Sequence, residues 1–569
     1  MNLRKSLFAL LLLAVTLAPR LAALDSFVTL DEPFWLSVGA NYYYALGQRE
    51  LENTVYEYHP AVTTMSFVAA AFLADFPEYR GLGQGYFDVD KEKFDPFLIK
   101  NGHDPLRLLF LSRLFQVLTI ALLALLIFHL FSLFLGAEKA FLTAALISSA
   151  PYFLGHSRLL SHEALVAFLV LSSILGLFAY LEYKPKGRYL FFSSAAAAFA
   201  QLTKSSAMAM FPVVGLILAV SVFEKAKERG FKAALFSRLK ILGVWLAAMC
   251  FVYFIAWPGM WAAPGKMLYE VYGNAFSYAF QGARLQVTHE LQPASFSLES
   301  AGSIIALFVE NLAWRATPLS WAGIALALVF LFQPGSAALK KLNVYFLLNA
   351  AAFILLFSLA RGRNSPHYIM ASHVSVDAIA ALGWASLLGF FESKWASFRA
   401  APAAGFAALL AGLQLSAAAA FFPYYYTYYN PLWAAAAGKP YASDYGEGFE
   451  KAAAYLAQKP DAKSITVFAF RGRGAFSYFF PGRTIILNPL FVEEPQMESV
   501  FERLKQSDYL VVNDAFTPRT SRTALFANEL RKTAPEHSIY IEGVSPIHIF
   551  RVADLPPSFY RALSEEETP

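Results

Sequence analysis

Residues 140–182 read AFLTAALISSAPYFLGHSRLLSHEALVAFLVLSSILGLFAYLE. Two apolar runs, 140–155 and 163–182, flank a polar joint made of His156-Ser157-Arg158 and His162-Glu163. A helix crosses a bilayer in ~20 mostly apolar residues, because the hydrocarbon core is ~30 Å thick and each residue rises ~1.5 Å. Run 163–182 meets that length; run 140–155 is short for it. Ionisable side chains are costly at bilayer depth, so the joint belongs at a membrane face. The stretch reads as a membrane hairpin with a charged tip.

Worked outward, the same reading gives eleven spans: 6–24, 108–135, 140–155, 163–182, 188–203, 206–223, 240–257, 316–333, 342–360, 366–390 and 401–422. With the N-terminus inside, the inner loops carry sixteen Lys and Arg and the outer loops other than 25–107 carry seven, among them Arg158, Lys204, Lys266, Arg315, Arg361 and Arg363. Cytoplasmic loops hold the excess of positive charge. The N-terminus is therefore expected in the cytoplasm and the C-terminus outside, in a multi-pass plasma (inner) membrane protein. A cleaved signal peptide is the alternative reading of 6–24, with its basic start and Ala22 and Ala23. Its removal would leave ten spans and upset the agreement in charge.

Composition agrees. The 569 residues are 57% hydrophobic and 15% charged, with a mean hydropathy of +0.45. Soluble domains average ~45–50% apolar and ~25% charged. Disorder is excluded for most of the chain, since it requires low hydrophobicity. The aromatic content of 16% suits interfacial belts. The single cysteine, Cys250, excludes an intrachain disulfide and any Cys-based zinc site. No basic cluster interleaved with aromatics points to nucleic acid.

Three stretches do not suit the bilayer. Residues 25–107 form an outer loop with 13 acidic and 6 basic residues and short helical patterns at 33–47 and 60–74. Residues 258–315 form a second outer loop. Residues 423–569 alternate strand-like runs, from Ile465–Phe470 to Ile547–Val552, with helical patterns, and this argues for a small α/β domain. The expected architecture is thus mainly α: a transmembrane domain over 1–422 and an extracytoplasmic α/β domain over 423–569. No internal repeat is seen.

Polar residues gather at the outer ends of the spans. They are Asp31-Glu32-Pro33, Tyr58-His59-Pro60, the joint from His156 to Glu163, Thr203-Lys204-Ser205, Trp257-Pro258-Gly259-Met260-Trp261 and Arg361 to Tyr368. Each has a local alternative. Asp31 can cap a helix that has Pro33 in its first turn. His59 can simply precede a helix, and Arg158 and Glu163 can pair at a span boundary. Lys204 can snorkel, and Arg361 and Arg363 can anchor at the interface. The shared face is what favours a site.

In this order the pieces resemble the polyprenyl-phosphate-sugar-dependent glycosyltransferases of the GT-C superfamily, in the branch of protein O-mannosyltransferases and lipid A aminoarabinose transferases. Asp31-Glu32 resembles that branch's main acidic pair. Tyr58-His59-Pro60 resembles a His-Pro-Pro element, with Ala61 in place of the second proline. Ser157-Arg158 with Glu163 resembles the second acidic motif, with Glu for the commoner Asp. Leu202-Thr203-Lys204 matches a Thr-Lys element. Trp257 to Trp261, Arg315 to Leu319, Tyr428 to Leu432 and Tyr445-Gly446-Glu447-Gly448 resemble further segments. Where the family often has Trp before Gly-Glu-Gly, this chain has Tyr445.

The resemblance implies a polyprenyl-phosphate-linked sugar as donor, a protein, lipid or glycan hydroxyl as acceptor, and inversion at the anomeric carbon. Asp31 is the implied base, with Glu32 its alternate, because an acceptor hydroxyl needs a group to take its proton. The leaving phosphate needs fixed cations or donors. His59, Arg158, Lys204, Arg363, His367 and Tyr368 are the candidates, with Glu163 orienting Arg158 or touching the sugar. The sequence requires no cofactor. Glu57, His59, His156 and Glu163 are candidate donors to a divalent metal, although their spacing has no recognisable metal pattern. A transporter or lipid-linked-sugar flippase, or a non-catalytic acceptor-binding subunit on the same scaffold, are the competing classes.

Overall fold

The computed structural model describes residues 3–56, 59–89, 93–280, 298–333, 337–360, 365–398, 401–438, 441–470, 472–486, 497–514 and 521–564. The chain divides into two compact units. One comprises Met1–Ala22, Val38–Tyr86 and Leu111–Ala437; the other comprises Ala23–Ser37, Phe87–Phe110 and Gly438–Pro569. The second unit therefore holds the tail together with two earlier pieces of the chain, one of which carries Asp31 and Glu32.

The chain is a multi-pass membrane protein. Among the described residues, seven helices are long and apolar enough to cross a membrane: Pro105–Phe131, Glu163–Tyr183, Ser205–Arg229, Phe231–Ala256, Ala337–Leu359, Pro366–Lys394 and Ala401–Ala419. An eighth crossing is available if the pair Ala301–Arg315 and Pro318–Phe332, bent by 110°, counts as one. The other three of the eleven expected spans are helices that fall short among the described residues. Leu3–Leu21 carries Arg4, Lys5 and Arg20. The run 140–155 is divided at Ala150 into Ala137–Ser149 and Pro151–His156. A proline is well placed at a helix start, where its missing N–H has no helical partner to lose. Gly187–Thr203 has only 17 residues.

Small residues permit one close helix crossing. A Cβ on Gly383 would lie 2.0 Å from the Gly323 carbonyl oxygen, so helices Pro318–Phe332 and Met370–Lys394 can approach this closely only without side chains there. Beside this crossing lies a polar network that one-face reading did not anticipate. The Ser320 hydroxyl donates to Asp377 Oδ1 (3.1 Å), and the Thr317 hydroxyl donates to Gln414 Oε1 (2.8 Å).

The buried Arg20 ties the first helix to the polar joint. Its guanidinium donates to Ser157 Oγ at 2.7 Å and to the carbonyls of Thr16 and Ser148 at 2.9 and 2.8 Å. A buried guanidinium is tolerated only when such acceptors replace water.

The second unit is built on a five-stranded sheet: β1 Thr466–Ala469, β2 Arg483–Ile486, β3 Tyr509–Asn513, β4 His537–Ile539 and β5 Ile547–Arg551. The order is β2-β1-β3-β5-β4; β1 pairs parallel with β2 and β3, and β5 pairs antiparallel with β3 and β4. Side chains alternate between the faces along each strand. Phe468, Leu510, Val512 and Phe550 pack with Leu504, Phe526, Leu530 and Phe559 on one face. Val467, Ala469, Val511 and Ile549 pack with Phe449 and Leu456 on the other. Both faces are thus covered, as parallel strands require. Arg473 fastens an earlier piece to this core: it pairs with Asp95 at 3.0 Å and donates to Ser37 Oγ and the Val89 carbonyl, each at 2.7 Å.

Candidate functional site

In the first unit, helix Gly187–Thr203 ends where Lys204 turns to an extended backbone, and Ser205 starts the next span. The break points the Lys204 side chain at the first residue of another span. Its ammonium donates to Glu163 Oε1 at 2.7 Å, with 6% and 11% of the two side chains exposed. The same nitrogen lies 4.7 Å from the centre of the Tyr368 ring, a cation–π arrangement. Tyr368 is held in turn by stacking on Phe357, with ring centres 5.3 Å apart.

His59 and His162 flank this pair. Their ring centres are 5.7 Å apart, and His162 Nδ1 is 2.6 Å from the Thr64 hydroxyl. The Thr63 hydroxyl donates to Thr203 Oγ1 at 2.8 Å and joins the 59–64 segment to the Thr-Lys element. Burial pushes the His162 imidazole down to about 3, against the pull of Glu163. His162 is therefore neutral near pH 7 and adds no charge to the Lys204–Glu163 pair.

An aromatic and imidazole belt continues from Tyr368. His367, His156 and Tyr152 follow at ring separations of 4.6, 5.8 and 4.7 Å, and Arg315 lies 5.1 Å from the Tyr152 ring. Arg315 donates to the carbonyls of Tyr428 (2.6 Å) and Tyr426 (3.1 Å). Asn430 N–H donates to the Trp314 carbonyl and Asn430 Nδ2 to the Ala316 carbonyl, both at 2.7 Å. Two sequence segments singled out separately, Arg315 to Leu319 and Tyr428 to Leu432, are thus clasped together at the bend between two helices.

Lys204, His59, Ser205 and Tyr368 form the polar end of a cavity of about 750 Å³. Its long walls are apolar: Val213 and Leu216 from span Ser205–Arg229, and Leu348, Ala352 and Leu355 from span Ala337–Leu359. Leu216 and Leu355 are each 50% exposed, so the groove between the two helices opens toward the bilayer. One cation at the head and an apolar trough behind it make a receptacle for an amphiphile.

Arg158 does not line this cavity. It is 1% exposed and donates to the carbonyls of Ala22 (2.6 Å) and Pro423 (3.1 Å). The expected pairing of Arg158 with Glu163 gives way to Glu163–Lys204. Arg158 meets backbone oxygen instead because its joint is packed against Leu3–Leu21 and the end of Ala401–Ala419. Arg363, Arg361 and Glu57 lie outside the described residues. Among the described residues, no group of three or more His, Cys, Asp or Glu side chains is arranged to hold a metal ion.

In the second unit, helix Glu32–Gln48 begins directly after Asp31. Glu32 is 1% exposed, and its Oε2 accepts from the Thr29 N–H and the Thr29 hydroxyl, both at 2.8 Å. Asp31 is exposed, and its Oδ2 accepts a hydrogen bond from the Tyr445 hydroxyl. Leu30 N–H donates to the Tyr445 carbonyl at 3.2 Å, and Tyr445 N–H donates to Glu447 Oε2 at 2.6 Å. Gly446 has φ +104°, and a Cβ there would lie 3.1 Å from the Val28 carbonyl oxygen. The Tyr-Gly-Glu-Gly segment is therefore laid along the acidic loop by its backbone. Burial raises Glu447, opposed by the bonds from Tyr445 N–H and Ser443.

Sequence reasoning missed Tyr152, His373, whose ring centre lies 4.7 Å from that of Tyr152, and Asp377, which lie inside apolar runs, and it had no signal for the Tyr445–Asp31 bond beyond the departure from Trp.

Comparison with known proteins bears on the first unit. Residues 108–257 match the model of the dolichyl-phosphate-mannose-protein mannosyltransferase family. That segment includes Glu163 and Lys204. A search of curated protein sequences returns no match. Among solved structures, the chain is similar to ArnT from Cupriavidus metallidurans bound to undecaprenyl phosphate, at 13% identity, covering 95% of this chain and 97% of that one, with a TM-score of 0.49. It is also similar to the S. cerevisiae protein O-mannosyltransferase complex bound to the sugar donor, at 20% identity over 46% and 34% of the two chains, with a TM-score of 0.35. The Archaeoglobus fulgidus oligosaccharyltransferase in the apo form matches at 14% identity over 90% and 69%, with a TM-score of 0.39.

Proposed function

We propose that this chain is a GT-C-type membrane glycosyltransferase that moves a sugar from a polyprenyl-phosphate carrier to an acceptor hydroxyl, with inversion, on the extracytoplasmic face. The observation that carries the reading is the cavity with Lys204 at its head and apolar walls open to lipid. An isoprenoid chain fits the trough because burying its methylenes is favourable by ~0.8 kcal/mol each. Its phosphate needs a fixed positive charge at the end of the trough, and Lys204 supplies it. The match of residues 108–257 to a mannosyltransferase family adds support.

The chemistry assigns one role to each group. The acceptor oxygen attacks the anomeric carbon from the face opposite the phosphate, and its proton passes to the Asp31 carboxylate. The bond from that carbon to the phosphate oxygen breaks, and the electron pair leaves with the phosphate. Lys204 neutralises the charge that grows there. Glu163 holds the ammonium in place, while His59 and Tyr368 bound the head of the cavity. Arg158 fixes the joint by its backbone ties. The acceptor is a protein, lipid or glycan hydroxyl. The polar outer ends of the spans and the excess of inner Lys and Arg support a cytoplasmic N-terminus in the inner membrane.

Filling the trough tests the reading. Ala352→Trp places an indole where the carrier chain would lie. The polyprenyl-phosphate dissociation constant, measured by native mass spectrometry of the purified protein, is expected to rise about tenfold to a hundredfold, since two or three methylenes lose their burial. Unchanged affinity in a folded variant would move the carrier elsewhere.

A further inference from the structure

We propose that Tyr445 is a positioning residue for the base: its hydroxyl fixes one oxygen of the Asp31 carboxylate and leaves the other presented to the acceptor. The inference rests on the assignment of Asp31 as base. It starts from the bond itself, in which the phenol donates to Asp31 Oδ2. An aspartate at a loop-to-helix junction, exposed as Asp31 is, would otherwise sample several rotamers. A base with a wandering carboxylate loses the orientation on which proton transfer depends.

The phenol is well anchored for this task. Leu30 N–H holds the Tyr445 carbonyl, and the buried Glu447 holds the Tyr445 N–H. Glu447 is itself fixed by the Ser443 hydroxyl at 2.7 Å. Gly446, whose φ of +104° few side chains tolerate, lets the segment lie against the Val28 carbonyl. The acidic loop and the tyrosine therefore move as one piece. Glu32 is spent on Thr29 and is buried, so the tyrosine selects between the two neighbouring carboxylates by serving the exposed one. Asp31 has one oxygen committed to Tyr445, and the other is the one an acceptor hydroxyl would meet. A ring with a hydroxyl, in place of the Trp common at this point in the resembling family, makes the contact available to this chain.

Tyr445→Phe removes only the oxygen. The full-length protein in nanodiscs, supplied with a polyprenyl-phosphate sugar, is expected to lose about tenfold to a hundredfold in kcat, the range for one hydrogen bond to a charged group. The acceptor KM and the melting temperature are expected to stay within about twofold and a few degrees. Tyr445→Trp returns an N–H donor on a ring and is expected to recover part of the rate. The loss should vanish on an Asp31→Asn background. If Tyr445→Phe keeps the wild-type kcat while Asp31→Asn is inactive, the tyrosine proposal falls and the base stands. If the Phe and Trp variants lose equally, the hydroxyl is not the reason, and the proposal falls in the same way. If Asp31→Asn transfers normally, the base assignment itself fails.

Discussion

Replacing Lys204 with Met lowers sugar transfer by about a hundredfold to a thousandfold, the typical loss when a fixed donor to a developing anion is removed. The mutation leaves Glu163 as a buried charge without its ammonium partner. Such a change is itself destabilising by about 3–5 kcal/mol, so the stability of each variant has to be read beside its activity. Lys204→Met with Glu163→Gln removes both charges and restores most of the melting temperature without restoring transfer. Lys204→Arg keeps the charge and retains more activity than Met. If the double variant recovers transfer as well as stability, Lys204 serves the fold and not the phosphate.

Asp31→Asn is the second large effect. Asn keeps the shape and the ability to accept from Tyr445 but has no basic oxygen. kcat is expected to fall by about 10²–10⁴, the usual range for a positioned general base, while polyprenyl-phosphate binding is unchanged. Glu32→Gln does something different. Glu32 is buried and satisfies Thr29, so its loss registers in stability of the loop before it registers in chemistry. A measurement in which Glu32→Gln removes kcat and Asp31→Asn does not would exchange the two roles.

Much of this was legible in the sequence. The strands within Ile465–Phe470 and Ile547–Val552 could be read because alternation is a local signal. Spans such as Glu163–Tyr183 were visible because burial among helices and burial in lipid demand the same apolar composition. The same equivalence lets a run divided by a proline read as one span. Residues 140–155 look like a span, but Pro151 divides them, and the neighbouring residues are buried by other helices. Lys204, His59 and Tyr368, singled out in the sequence, line one cavity, but which groups pair was not legible. Glu163 was expected with Arg158 and is found with Lys204, since sequence distance says nothing about which of two nearby cations a helix end will face. Tyr445 lies 414 positions from Asp31, and no pattern in either segment predicts that bond. The trough needed three dimensions too, because its walls come from two spans more than a hundred residues apart.

The most direct test is covalent chemistry by the purified protein alone. The protein is placed in a bilayer with a polyprenyl-phosphate sugar and a hydroxyl acceptor, and mass spectrometry follows both the carrier and the acceptor. The account predicts free polyprenyl phosphate and glycosylated acceptor in equal amounts, with the sugar of opposite anomeric configuration, and no product from Asp31→Asn. Donor that is bound or carried across the bilayer yet recovered intact, with no glycosylated acceptor in any preparation, would contradict it.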